Sequence, residues 1–312
     1  MTSDAPEGMR VFDRRAVLRH RARAARGNGT HDFLVREVAE RLADRLADVK
    51  RDFPLVLDLA CRGGALSRAF DSAGVRKARG IQTIIHADGG FDLAARAPAP
   101  RVVADEEFLP FAEGSLDLVL SNLSLHWVND LPGALVQIKR ALRPDGLFLA
   151  ALLGGETLHE LRAAFEAAET DVEGGVSPRV SPLIDVRDAG GLLQRAGFAL
   201  PVTDVDTINV TYADADALMR DLRGMGETNA VRQRRTTFLR RDTLARVAEV
   251  YRERFADAGG RIRATFQVVY LTGWAPHESQ QKPLRPGSAK TRLADALGAE
   301  ELPTGAKADP GG

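Results

Sequence analysis

The 312-residue chain has a single cysteine, Cys61, which leaves no partner for an intramolecular disulfide and excludes a cysteine-rich zinc site. It has no excess of either charge, 43 Lys+Arg against 43 Asp+Glu, so it lacks the strongly basic balance of a nucleic-acid binder, and no nucleic-acid partner is expected. No apolar run approaches the roughly 20 residues that span a bilayer. Residues 1–30 hold no uninterrupted apolar stretch of the kind a secretory signal needs. Aromatics are scarce at 6%, yet 44% of the residues are hydrophobic, ample for a sizeable core. The expectation is a soluble intracellular protein with one large α/β domain and elaborations.

Lysine is scarce too. Six of the 43 basic residues are lysine, a bias read first as coding preference. Between Arg10 and Arg26 stand seven arginines (10, 14, 15, 19, 21, 23 and 26) against Asp13 alone. Such a start suits an organelle transit peptide or peripheral contact with an anionic membrane surface. The plainer alternative is a solvated helix with a narrow apolar stripe. Asp4, Glu7 and Asp13 speak against a cleaved peptide, because transit peptides avoid acids.

Apolar residues three and four apart, Phe33, Leu34, Val38, Leu42, Leu46 and Val49, predict a helix over 32–50, ended by Pro54. Short apolar runs then alternate with helical patterns. Strands are predicted over 55–60, 83–87, 101–104, 116–121 and 147–153, and helices over 67–73 and 131–142. Strands separated by helices imply a parallel sheet with right-handed crossovers and helices on both faces. The second half predicts helices over 156–169, 186–196, 214–223 and 241–257, with strands over 202–212 and 261–274. Together these give an α/β, Rossmann-like fold with a seven-stranded, mostly parallel sheet, its last strand antiparallel against 202–212. Residues 1–50 are expected to form basic and amphipathic helices, and 51–282 the main domain with a helical lid insertion at about 214–257. The Pro-, Gly- and charge-rich 283–312 is expected to be a mobile tail.

After the first strand the chain reads Asp58-Leu59-Ala60-Cys61-Arg62-Gly63-Gly64. The carboxyl ends of parallel strands open onto a ligand crevice, and small residues let a ligand approach the backbone there. Asp88 closes the second strand, where an acid accepts the two hydroxyls of a ribose. Asp105-Glu106 follow the third strand and Asn122-Leu123 the fourth. A rival constellation, His86-x-Asp88 completed by His126, His159 or His277, has the donor types of a facial iron triad. Those triads belong to double-stranded β-helices, whereas strand and helix alternate here, so no metal is expected.

The loop resembles the first motif, D-x-G-x-G-x-G, of class I S-adenosylmethionine-dependent methyltransferases. Asp58 and Gly64 match it, while Ala60 and Arg62 replace glycines. That resemblance implies S-adenosyl-L-methionine as cofactor, with Asp88 on the ribose, Asp105 and Glu106 near the adenine, and Asn122-Leu123 against the amino-acid part. Left-handed geometry at Arg62 would cost about 1–2 kcal/mol, and its side chain is expected to point away from the ligand.

More specific strings run from Asp105-Glu106-Glu107-Phe108-Leu109-Pro110-Phe111 through Ser121-Asn122-Leu123-Ser124-Leu125-His126-Trp127 and Gly154-Gly155-Glu156 to Gly224-Met225-Gly226-Glu227. They resemble the assembly-factor family of respiratory complex I, regarded as arginine hydroxylases built on a methyltransferase fold, over nearly the whole chain. The malonyl-carrier-protein methyltransferases share the Leu-Pro-Phe-like and Ser-Asn-Leu elements. The resemblance implies hydroxylation or methylation of an arginine in a protein substrate, a complex I subunit. It places the chain in the cytoplasm of a bacterium or the mitochondrial matrix of a eukaryote. A small-molecule or carrier-protein methyltransferase and a non-catalytic assembly chaperone remain the alternatives. Acids must grip a guanidinium fork, which singles out Glu156 and Glu227. His126 and Trp127 are candidates for a wall that stacks on the guanidinium. The plainer alternatives are surface carboxylates serving turns and a Trp127 packed beneath the next helix. Glu227 follows Gly224 and Gly226, a flexible pair that suits a carboxylate on a closing lid. No catalytic residue is identified.

Overall fold

The computed structural model describes residues 10–27, 29–281 and 298. Apart from Gly298, the tail expected over 283–312 lies outside the described residues. The chain divides after His277 into two units, and the first holds every strand and helix named below.

Five strands, β1 (Leu55–Leu59), β2 (Thr83–Asp88), β3 (Arg101–Val103), β4 (Leu116–Asn122) and β5 (Leu142–Leu153), pair in parallel. Beyond them β7 (Ile262–Trp274) runs antiparallel to both β5 and β6 (Ala199–Tyr212), giving the order β3-β2-β1-β4-β5-β7-β6. The expected seven-stranded, mostly parallel sheet is therefore present. Its central strands are apolar on both sides. Val56, Leu118, Leu120 and Leu149 enter one core and Leu57, Leu59, Val119 and Phe148 the other, which is why they read as continuous hydrophobic runs.

Helices α2 (Phe33–Ala47), α3 (Ala65–Ser72), α7 (His159–Glu173), α9 (Ala215–Met225) and α10 (Arg241–Phe255) supply the first core. Helices α6 (Leu131–Ala141) and α8 (Val186–Ala196) supply the second. Short helices α4 (Val75–Ala78) and α5 (Phe91–Ala94) fill the crossovers on either side of β2. Growth of the sheet reverses between β1 and β4, the switch point at which a crevice opens beyond the strand ends. Several predicted boundaries move by a few residues, and two have a local cause. α7 starts at His159 because Leu158 is left-handed (φ 55°), and β5 starts at Leu142 because Arg143-Pro144-Asp145-Gly146 sits in the strand beside an irregularity in its pairing with β4.

The N-terminal helix α1 (Arg14–Ala25) is not simply a solvated basic helix. Its N-cap Asp13 accepts from the Ala16 N–H, and Phe12, Ala16 and Val17 pack with Trp127, Ala230 and Val231 beyond the strand ends. Two arginines turn inward. Arg14 pairs with Asp105 (2.7 Å) and with Glu106, while Arg21, only 2% exposed, donates to Glu106 (2.9 Å) and Ser124 (2.7 Å). Burial alone would raise the Glu106 pKa, but the Arg14 and Arg21 guanidiniums outweigh it and hold that carboxyl well below the usual range. Spacing explains the choice of arginines, since positions 14, 17, 21 and 25 share one helix face.

Arg21→Met would leave Glu106 buried with half its counter-charge, so stability is expected to fall by about 3–5 kcal/mol in denaturant unfolding. The same change at Arg15, exposed on the outer face, should stay within about 0.5 kcal/mol. Equal effects at both positions would mean that the buried triad does not anchor α1.

Candidate functional site

β1 delivers the chain into a tight left-handed turn, with φ of 58° at Ala60, 46° at Arg62, 72° at Gly63 and 83° at Gly64. Glycine adopts this geometry freely, whereas Ala60 and Arg62 each store strain on the order of 1–2 kcal/mol. Gly64 has a second constraint, because a Cβ there would lie 2.9 Å from Cδ of Pro98. The turn rests on Asp88, whose two carboxylate oxygens accept from the N–H groups of Arg62 (3.2 Å) and Gly90 (3.0 Å).

Asp58 is fully buried, and neither of its carboxylate oxygens has a hydrogen-bond partner among the described residues. Burial first, and then the nearby charge of Asp88, push its pKa up to about 8. Asp88 is raised as well, by burial, with Arg21 and the Gly90 N–H opposing. On the neighbouring strand, Asn122 gives its amide to the Val35 carbonyl (2.9 Å) and leaves Oδ1 unpartnered among the described residues. Strand alternation puts Asp58 and Asn122 on one face, that of Val56 and Leu120. Buried acceptors without donors cost roughly 1–3 kcal/mol each, so such a pair calls for an explanation such as a ligand. A cavity of about 290 Å³ opens by the turn, lined by Val35, Arg36, Gly63, Ala65, Arg68 and Met225 among others.

The expectation that the Arg62 side chain turns away from the crevice is overturned. Its guanidinium, 7% exposed, crosses the crevice and donates to the carbonyls of Leu123 (2.7 Å) and Met225 (3.3 Å) and to Glu227. Glu227 also accepts from Trp127 Nε1 (2.8 Å) and lies 3.1 Å from His126 Nε2. Thus His126, Trp127 and Glu227 come together, with Arg62 as an unforeseen fourth member. Burial would raise Glu227, but Arg62 and then His126 outweigh it and hold the carboxylate ionised. Burial depresses His126 more than Glu227 raises it, so the imidazole is neutral near pH 7. Its Nε2–H faces Glu227 while Nδ1 accepts from the Leu153 N–H (3.5 Å).

Several other candidates are placed differently. Glu156 is exposed, and its N–H donates to Gln267. Asp105 and Glu106 are engaged by α1, although Asp105 stays a third exposed. Gly224 and Gly226 do not form a flexible pair. Gly226 (φ 80°) closes α9, and a Cβ on Gly224 would lie 2.2 Å from the His31 ring. His86 bonds Ser67 Oγ through Nε2 (2.6 Å), and no group of three or more His, Cys, Asp or Glu among the described residues is arranged to hold a metal.

Past the Glu227 cluster lies a cavity of about 760 Å³ with apolar walls that include Leu158, Leu161, Phe165, Met219 and Phe266. The ionised Glu227 carboxylate, held by the indole N–H and the neutral imidazole, lies beside this cavity and has the chemistry to accept from N–H donors of a cation.

The methyltransferase-domain family matches residues 57–150 of the chain. The chain is similar to Arginine-hydroxylase NDUFAF5, mitochondrial, of Danio rerio, at 44% identity over 93% of this chain and 90% of that protein. It is also similar to the malonyl-acyl-carrier-protein O-methyltransferase of Methylovorus sp. (strain MP688), at 39% identity over 88% of this chain and 92% of that one. Among solved structures, a Bacillus halodurans C-125 protein assigned to the methyltransferases aligns with a TM-score of 0.52 at 15% identity, over 76% of this chain and 99% of that chain. That last likeness is one of fold.

The Asp58 carboxyl titrates at about 8 when folded against 3.8 in the free side chain. The folded chain therefore keeps a proton that the unfolded chain releases, and this contribution to stability is full below about pH 4 and lost as pH rises through about 8. Asp58→Asn cannot ionise, so urea unfolding across that window should show the variant gaining on the parent as pH rises. Two parallel pH profiles would show that Asp58 is not the titrating group.

Proposed function

The chain belongs to the arginine-hydroxylase NDUFAF5 family of methyltransferase-fold enzymes, and from that premise we propose that it binds S-adenosyl-L-methionine at the β1–β4 switch point and modifies an arginine of a protein substrate. The cofactor half is carried by the unpartnered acceptors Asp58 and Asn122. Buried acceptors without donors suit a ligand that brings N–H donors and positive charge. Asp88 lies beneath the turn with carboxylate oxygens suited to a ribose diol. Asp105, which keeps one oxygen outside the Arg14 contact, suits an adenine amino group, while Glu106 anchors α1. Bound there, the cofactor would supply an electrophilic methyl group.

Identity of 44% along nearly the full chain supports the arginine half. The site's capacity for a guanidinium is visible in the chain itself, since Glu227 already holds that of Arg62. Trp127 and neutral His126 fix the carboxylate that an incoming arginine would meet, beside a cavity with apolar wall residues. Adding oxygen to the side chain also takes an oxidant, whereas methylation takes only the donor. The family resemblance further implies a complex I subunit as substrate, met in the cytoplasm of a bacterium or the matrix of a mitochondrion. Among the described residues no helix is long and apolar enough to cross a membrane. The 39% identity to the carrier-protein enzyme favours methyl transfer to a carrier-bound carboxylate as the second reading.

Mass spectrometry of the arginine-bearing subunit, with and without the chain, separates these outcomes. One added oxygen supports hydroxylation, one added methyl supports transfer, and methylation of a malonyl carrier protein alone would sink the arginine reading. Asp88→Ala should weaken S-adenosyl-L-methionine binding by about 1.5–3 kcal/mol in calorimetry, and unchanged binding would remove Asp88 from the cofactor site. Glu227→Gln should abolish modification and, by leaving Arg62 buried without a counter-ion, lower stability by about 3–5 kcal/mol. The double variant Arg62→Gln/Glu227→Gln should recover stability but not modification. A normal rate in folded Glu227→Gln would place the clamp elsewhere.

A further inference from the structure

Positive charge stands around the large cavity, and arginine modification at Glu227 leaves it unused. Arg19 of α1 and Arg220 and Arg223 of α9 line the cavity, and Arg23, one turn after Arg19, lines the adjoining cavity together with Arg220 and Arg223. Arg19 and Arg223 are exposed and make no ion pair among the described residues. Arg220 meets Asp216 at 3.2 Å, with both side chains two-thirds exposed, a pairing of little strength. Arg23 donates to Thr228 Oγ1 (3.0 Å), and its pKa is lowered by burial and then by Arg223, so these two guanidiniums are held against mutual repulsion. The remaining wall arginines are engaged by the fold: Arg179 by Glu169, Arg234 by Asp13 and Arg235 by Glu173. Of the lining carboxylates, Asp216 is the one beside this rim, because Glu227 lies inside with Arg62.

Three rim guanidiniums, with Arg23 beside them, repel the side chain that the Glu227 cluster is suited to receive, since like charges within a Debye length of about 10 Å oppose each other. The arrangement becomes coherent when the polypeptide carrying that arginine brings negative charge of its own. We propose that the protein substrate presents its target arginine within an acidic segment, whose Asp and Glu side chains dock on Arg19, Arg23, Arg220 and Arg223 as the arginine enters toward Glu227. This rests on the arginine-modifying reading and adds the flanking chemistry of the substrate. Planar guanidiniums take carboxylates in bidentate fashion, and complementarity at a rim governs encounter and partner choice more than final affinity.

The test uses the full chain and three synthetic peptides, each with a central arginine flanked by glutamates, serines or lysines, with binding read by fluorescence anisotropy. The glutamate peptide is expected to bind roughly tenfold tighter than the serine peptide at low salt, with the gap closing as salt rises. In the double variant Arg19→Glu/Arg223→Glu, which changes two exposed side chains, the order should invert in favour of the lysine peptide. Equal affinity of the glutamate and serine peptides for the parent chain overturns the inference. So does capture of phosphatidylglycerol vesicles that the double variant loses without any peptide preference, which would make the rim a lipid surface. A glutamate-flanked peptide with central glutamine separates this inference from the reading beneath it. If it binds as well as the arginine peptide, the acidic dock stands and the arginine reading fails. If the arginine is required but the flanks are not, the arginine reading stands and the dock fails.

Discussion

Arg62 occupies a left-handed turn where glycine would carry no strain, and from there its guanidinium reaches Glu227 across the crevice. The strain is on the order of 1–2 kcal/mol. Against it stand three charge-assisted contacts, to Glu227, Leu123 and Met225, each worth about 1.5–3 kcal/mol where water is excluded. The contacts outweigh the strain, which explains why this loop can depart from a glycine pattern and still hold its shape. The pair also joins two regions that sequence keeps apart. The turn after β1 shapes the small cavity, Glu227 shapes the large one, and neither can shift without exposing a buried charge.

Cations are distributed unevenly among the buried carboxylates. Glu106 has two guanidiniums, Glu227 has one guanidinium and hydrogen bonds from a neutral imidazole and an indole, and both acids are held ionised. Among the described residues Asp58 has none within hydrogen-bonding reach, and it keeps its proton to about pH 8. Had the fold required only charge balance, an arginine at this point would have been as available as Arg21 is for Glu106. The carboxylate without a cation lies at the switch point, where the strand order itself opens a crevice. Physical chemistry thus distinguishes two kinds of buried acid here, those that hold helices and loops together as ions and one that stays protonated with no partner among the described residues.

The sheet was legible in the sequence because β1, β4 and β5 are buried on both faces and read as uninterrupted apolar runs. The start of β5 was not, since Pro144, Asp145 and Gly146 carry the chemistry of a turn while sitting in a strand. The order of Asp58, Asp88, Asp105 and Asn122 along the chain was enough to propose a crevice. The direction of Arg62 was not readable, because its partners lie 61, 163 and 165 residues away and only the folded chain brings them near. Arg14 and Arg21 differ from Arg15 and Arg19 in facing rather than in type, and the spacing with Val17 and Ala25 was the one local signal of it. Glu156 and Glu227 were equal candidates for the same reason, and tertiary structure exposes one and buries the other.

If Glu227 is the acid that receives a substrate arginine, the incoming guanidinium meets a carboxylate already in use. Exchange at Glu227 replaces one charge-assisted contact by another, so the electrostatic balance at that atom changes little. Arg62 need not leave the crevice, because the Leu123 and Met225 carbonyls still accept from it when the Glu227 contact is released. The net free energy of binding must then come from what surrounds the guanidinium. The methylene stem of an arginine gains by leaving water for the walls at Leu158, Phe165 and Met219, at about 25 cal/mol per Å² of apolar surface. That term does not depend on which residues flank the arginine. Discrimination among arginines therefore falls to the cavity mouth, where the exposed guanidiniums of Arg19 and Arg223 have no ion-pair partner among the described residues.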